Sequence, residues 1–206
     1  MEPAELSVER DGQRLAGESI GDGPPIALLH GITATRRYVV HGSKVIARHG
    51  YRQISYDARG HGESRPAPPH GGYSYGELGA DLEAVLDAVA GERPVVLVGS
   101  SMGAHTAVSY ALAHEERLAG LVLIGPTYMG FVDDEALAGW DRLADGLERG
   151  GVEGFMDAYD RGLDPAWRET VLRFTRQRLL EHRHPRAVAR ALREVPRSTP
   201  FEAISE

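Results

Sequence analysis

The 206-residue chain has no cysteine, a single lysine (Lys44) and few aromatic residues, 7% in all. The missing cysteine excludes disulfides, thiolate metal sites and cysteine nucleophiles together. It also lacks an uninterrupted apolar run of about 18 residues, the length a bilayer-spanning helix needs, so no membrane partner is expected. Positive charge is in deficit: 23 lysines and arginines face 30 acidic residues, a formal charge of −7. No excess remains to neutralise phosphates, and nucleic acid is not an expected partner. The opening Met1-Glu2-Pro3-Ala4-Glu5 has neither the basic region nor the apolar stretch of a secretory signal, which makes a cytoplasmic location the default expectation.

What is present is enough apolar residue, 42%, to bury a core in one mixed α/β domain. Up to about residue 126, short apolar runs alternate with segments of helical period, the pattern of a mostly parallel sheet flanked by helices. Leu6 to Glu9 and Arg14 to Ser19 read as a hairpin turned by Asp11-Gly12, because Asp-Gly supplies positive φ. Pro25 to Leu29, Tyr51 to Tyr56, Pro94 to Val98 and Leu118 to Ile124 read as buried strands. Between them, Tyr75 to Ala90 and Met102 to Ala113 carry helical periodicity, Gly91 following the first as a stop. From Pro126 onward strand-like runs disappear, and apolar positions recur at helical spacing, as in Leu137, Trp140, Leu143 and Leu147. The expected organisation is a core over 1–126 and a helical region over 127–206 that begins its return to the core near the end.

The chemistry-bearing segment is Gly99-Ser100-Ser101-Met102-Gly103. This G-x-S-x-G pattern directly follows a predicted strand and directly precedes a predicted helix. A nucleophile there must stand on a sharp, strained turn, and small residues at Gly99 and Gly103 allow neighbouring backbone to approach closely. Ser101 is the candidate nucleophile. The following helix directs its N-terminal N–H groups toward the same place, favouring negative charge. Two further segments accompany it: His30-Gly31-Ile32-Thr33 after the third strand, and Tyr56-Asp57-Ala58-Arg59-Gly60-His61-Gly62-Glu63-Ser64 after the fourth.

In this order and spacing the three segments resemble the α/β-hydrolase superfamily, in particular its esterase, lipase and haloperoxidase-like members with a helical cap. The resemblance implies that Ser101 attacks a carbonyl carbon while the backbone N–H groups of Ile32 and Met102 hold the oxyanion, each such donor contributing about 3 to 4 kcal/mol. It makes His30, Gly31, Gly99 and Gly103 shapers of the site, and Asp57, Arg59 and His61 structural. Serine at the nucleophile position argues against the aspartate-dependent chemistry of haloalkane dehalogenases and epoxide hydrolases. The implied substrate is a small, largely apolar acyl group in an ester, thioester or lactone, with no cofactor and no metal. Two other readings share these motifs: a non-catalytic binding module that keeps the pocket, and a carbon–carbon bond hydrolase or perhydrolase.

In such folds the triad runs serine, acid, histidine, the last two after late strands. Val195 to Ile204 resembles the end of a family cap, so the last two strands, the acid and the histidine are expected beyond Glu206. Among residues already present, His105 is expected to be packed or solvated, His114 to end a helix, and His182 and His184 to form a surface pair; Asp133 and Asp134 are alternative acids. Removal of a triad histidine costs about 10⁶-fold in turnover elsewhere, so the 206-residue chain alone is expected to be nearly inert. An open apolar edge at Leu118 to Ile124 is expected to promote self-association. Phe131, Trp140, Phe155, Met156 and Phe174 are candidates to line the pocket or to belong to the core.

Overall fold

The computed structural model describes residues 2–69, 71–128, 132–161 and 163–201. Its centre is a six-stranded sheet: β1 (Ala4–Arg10), β2 (Gln13–Ile20), β3 (Pro25–Leu29), β4 (Arg52–Tyr56), β5 (Val95–Ser100) and β6 (Leu118–Ile124), in the order β1-β2-β4-β3-β5-β6. β1 and β2 form the predicted hairpin, with φ of 49° at Asp11 and 74° at Gly12, the paired positive values a two-residue turn of this hand requires. β2 joins β4 antiparallel; β4, β3, β5 and β6 are mutually parallel. β5 runs two residues past its predicted end, because Gly99 and Ser100 still pair with Leu123 and Ile124 of β6. The G-x-S-x-G segment therefore begins inside the sheet.

Helices α1 (Val45–Arg48), α2 (Tyr75–Val89) and α3 (Met102–Ala113) link the strands. α2 starts where the Ser74 hydroxyl accepts the Glu77 N–H at 3.2 Å, a side-chain cap for an otherwise unpaired donor. Its stripe Leu82, Val85 and Leu86 packs with Ala107 and Tyr110 of α3 onto one face of the sheet, against Leu15, Ala27, Leu29, Ile54, Tyr56 and Leu97. Burial of such side chains contributes roughly 1.5–3 kcal/mol each.

The later residues form α4 (Asp134–Tyr159), α5 (Arg168–Leu180) and α6 (Pro185–Glu194). α4 is broken at Gly151, where φ is 61°, and its two halves touch at Gly146 and Gly154: a Cβ on either would stand 2.3 Å from the other's carbonyl oxygen. A second apolar cluster joins these helices, through Leu147, Phe155, Leu179, Val188 and Leu192, to Ile32, Tyr73, Leu78 and Met102 of the sheet-proximal half. The helical region thus sits over the loops that carry the three motifs. At the other extreme, β6 pairs among the described residues with β5 alone, and Leu121, Val122, Leu123 and Ile124 are 38–47% exposed.

Candidate active site

Ser101 stands at the junction of β5 and α3 with φ 51° and ψ −115°, a conformation that a residue with a side chain adopts only when its surroundings enforce it. Several contacts enforce it. The Ser101 N–H donates to the Ile124 carbonyl at 2.9 Å, and the Ser101 carbonyl accepts from Ala104 and His105 at 2.8 and 3.1 Å. A Cβ at Gly99 would lie 2.3 Å from the Gly103 carbonyl oxygen, and one at Gly103 would lie 2.3 Å from that of Leu29. Only glycine at both positions lets strand, turn and helix close on one another. Gly31 faces Ser101 from the other side, with room for a Cβ only at 3.4 Å from the Ser101 Cβ.

The backbone N–H groups of Ile32 and Met102 have no acceptor within the described hydrogen-bond network. Met102 is the first residue of α3, so its N–H is unpaired by helix geometry, and the helix dipole favours an anion there. Ile32 is held differently. Three buried histidines engage the carbonyls of three successive residues: His30 Nδ1 lies 2.8 Å from the Gly31 oxygen, His61 Nε2 2.8 Å from that of Ile32, and His182 Nε2 3.3 Å from that of Thr33. Tautomers follow from the opposite ring nitrogens. His30 Nε2 accepts the Ala58 N–H and His182 Nδ1 accepts the Gly62 N–H, both at 2.9 Å, so each ring carries its proton toward the 31–33 loop. Because a trans peptide is planar, fixing the Gly31 carbonyl fixes the Ile32 N–H on the opposite side.

Burial lowers the pKa of all three rings, to about 3 for His30 and His182, where a charge on His61 would lower it further. His30 and His182 are neutral at ordinary pH, whereas His61 faces carbonyl oxygens at both ring nitrogens, those of Arg59 and Ile32. His182 therefore departs from the expected surface pair: it is 8% exposed and ties the α5–α6 connection to two motif loops, whereas His184 is partly exposed at the start of α6. Asp57 accepts the N–H groups of Arg36 and Glu63 and pairs with the Arg36 guanidinium; Arg59 is bound through two nitrogens, each at 2.7 Å, to buried Asp81. Those contacts brace the 57–64 loop. His105 is committed to Tyr75 and to the backbone of Thr127 and Tyr128, and His114 ends α3 stacked on Tyr110.

Two cavities open at Ser101. One, of 270 Å³, reaches past Gly31 and Ile32 to Tyr38, Trp140, Phe155, Thr175 and Arg178. The other, of 410 Å³, runs from Met102 to Tyr75, His105, Val132, Asp133 and Val195. Ile32, Ser101 and Trp140 border both. Of the pocket candidates, Trp140 and Phe155 line a cavity, Met156 is buried in the core, and Phe174 is 47% exposed outside both; Phe131 lies outside the described residues. Asp133 borders the larger cavity but caps α4 by accepting the Ala136 N–H at 2.7 Å, and Asp134 is exposed in the first turn of α4. Tyr75 and Arg178 escaped sequence reasoning, since a tyrosine opening a helix and an arginine on an amphipathic one carry no signal of their own. Among the described residues no cluster of metal-ligating side chains is found, and no helix is long and apolar enough to cross a membrane.

The family model of the alpha/beta hydrolase fold matches residues 24–202. The chain belongs to the α/β-hydrolase fold family. Relatives in this family include Epoxide hydrolase B of Mycobacterium tuberculosis, 35% identical over 108 residues, which are 52% of this chain and 30% of that protein. A second is the 2-hydroxy-6-oxononadienedioate/2-hydroxy-6-oxononatrienedioate hydrolase of Paraburkholderia xenovorans, 46% identical over 77 residues, 37% of this chain and 26% of that one. The matches span 26–42% of the length of the curated relatives. Among solved structures, a thermophilic esterase from Thermogutta terrifontis superposes with a TM-score of 0.78 at 25% identity, over 97% of this chain and 74% of the esterase. Members of the α/β-hydrolase family with different names thus share this frame.

Proposed function

We propose that the protein is a serine hydrolase that cleaves an ester, thioester or lactone of a small, largely apolar acyl group through an acyl-enzyme. The observation that carries this reading is the strained Ser101 at the strand-to-helix turn, set between two cavities and beside two unpaired amides. In it, Ser101 Oγ attacks the acyl carbon and the N–H groups of Ile32 and Met102 receive the developing oxyanion. The alcohol or thiol departs with a proton, and water then releases the acid. Helices α4 to α6 act as a cap, their Trp140 dividing the acyl side from the leaving-group side. A relative named for epoxide hydrolysis does not transfer its activity, because a serine stands at the nucleophile position.

Both histidines that border the cavities are engaged through both ring nitrogens, His30 by Ala58 and Gly31, His105 by Tyr75, Thr127 and Tyr128. Neither can serve as the base, and the 206-residue chain on its own is expected to be nearly inert toward esters. The same observation favours a second reading, a binding module that keeps the pocket without turnover. Treating the protein isolated from its source cells with a fluorophosphonate separates the two. Covalent modification mapped to Ser101, and abolished by Ser101→Ala, supports the hydrolase; an unmodified Ser101 supports the binding module.

A further inference from the structure

The larger cavity contains a polar device that the acyl-transfer chemistry does not use. His105, on the first turns of α3, is 5% exposed, and its Nε2 receives two backbone N–H groups, those of Thr127 and Tyr128, each at 3.1 Å. An N–H donor can be accepted only by a nitrogen without a proton, so the neutral ring must carry its hydrogen on Nδ1. That nitrogen lies 3.0 Å from the Tyr75 hydroxyl oxygen. The tyrosine oxygen is therefore the acceptor, and its own proton has to point elsewhere. Among the described residues nothing else lies within hydrogen-bond distance of that hydroxyl, and Tyr75 and His105 line the same cavity as Ser101. Burial also pushes the His105 pKa down, in keeping with a neutral ring.

We propose that Tyr75 is a substrate-binding hydrogen-bond donor, its O–H turned into the larger cavity by His105, and that the group it takes is an oxygen acceptor such as a carbonyl or ether oxygen on an otherwise apolar moiety. His105 is the positioning residue. The backbone N–H of Tyr75 donates to the Ser198 hydroxyl at 2.8 Å, and the Tyr75 ring meets the His105 ring edge-on, so the phenol is held at both ends. Val132, Ala136, Val195 and Pro196 supply apolar wall beside the phenol, while Thr127, Tyr128, Asp133 and Ser198 also border the cavity. A fixed donor beside such a wall selects by penalty: a ligand without an acceptor leaves the hydroxyl unpaired.

This deepens the acyl-transfer reading by giving the substrate a second oxygen, and it is tested without turnover. Acetophenone and ethylbenzene differ by one carbonyl oxygen. Titrated into the protein and into Tyr75→Phe, acetophenone should bind the variant about tenfold more weakly, while ethylbenzene binds both alike. Equal losses for the two compounds, or no loss for the ketone, would overturn the proposal. Histidine ¹⁵N spectroscopy supplies a check independent of any ligand: the proton of His105 should reside on Nδ1 at neutral pH, and a proton on Nε2 would remove the premise. A Ser101 that resists phosphonate while the ketone discrimination persists would defeat the acyl-transfer reading and leave the Tyr75 donor standing.

Discussion

The N–H of Ala58 donates to His30 Nε2 at 2.9 Å, and this bond, together with the Ala34 N–H that the Gly31 carbonyl also accepts at 2.9 Å, orients a peptide of the loop after β3. With Nε2 occupied, His30 must donate through Nδ1 to the Gly31 carbonyl, and the Ile32 N–H of the same peptide plane is left facing away from it. The loop after β4 thus sets the geometry of the loop after β3. Replacing His30 by Phe leaves the Ala58 N–H unpaired in the interior, which costs about 1–3 kcal/mol, while the Gly31 carbonyl keeps the Ala34 N–H at 2.9 Å. Urea denaturation of His30→Phe should show a loss of roughly 1–3 kcal/mol; no measurable loss would mean that the ring is not holding the Ala58 amide.

Acid should destabilise the fold earlier than carboxylate titration alone would. His30 and His182 have folded pKa values of about 3, against 6.5 for a free ring. Above pH 6.5 neither state binds the proton, and the full stability is present. As pH falls from 6.5 toward 3 the unfolded chain takes up protons that the native rings refuse, so stability falls by about 1.4 kcal/mol per ring per pH unit. Near pH 5 the two rings together account for a deficit on the order of 4 kcal/mol. Thermal melts between pH 7.5 and 5 should show a steady decline in this window; a flat profile down to pH 5 would contradict buried neutral histidines.

The glycines of the turn should separate by what a methyl group would meet. Gly103→Ala sets a carbon 2.3 Å from the Leu29 carbonyl and can be accommodated only by moving β3 or α3, whereas the extra methyl of Gly31→Ala lies at 3.4 Å from the Ser101 Cβ. The first should lose roughly 3 kcal/mol or more, as overpacked backbone does, while the second should fold normally. Circular-dichroism melts of the pair suffice, and equal stability would deny the close strand–helix approach.

Much of this frame is legible before any coordinates. The Asp11-Gly12 turn, the apolar runs of β3 to β6 and the G-x-S-x-G between strand and helix are local signals, each fixed by chemistry within a few residues. What escaped is non-local. His182 reads as a surface residue because nothing in the helical sequence reveals that its ring will meet Gly62 N–H and Thr33 oxygen, 120 and 149 residues away. Tyr75 reads as an ordinary helix start until Thr127 and Tyr128 fix the tautomer of His105. Phe174 fails as a pocket residue because α5 turns that face outward.

The open side of β6 bears on solution behaviour. A strand whose Val122 and Ile124 are 47% and 45% exposed offers unpaired backbone and apolar side chains to another chain. The 206-residue chain should therefore self-associate at micromolar concentration, and Val122→Lys should shift it toward the monomer. Sedimentation velocity reads both; a monodisperse wild-type monomer would contradict the expectation.

The central claim is that the hydroxyl of Ser101 faces a pair of free amides, and a crystal structure of the phosphonate adduct of the protein isolated from its source cells examines it directly. The account predicts a bond from Ser101 Oγ to phosphorus with the phosphoryl oxygen about 2.7–3.1 Å from both the Ile32 and Met102 nitrogens. An adduct whose phosphoryl oxygen turns away from both amides, or phosphorus attached to a different residue, would contradict it.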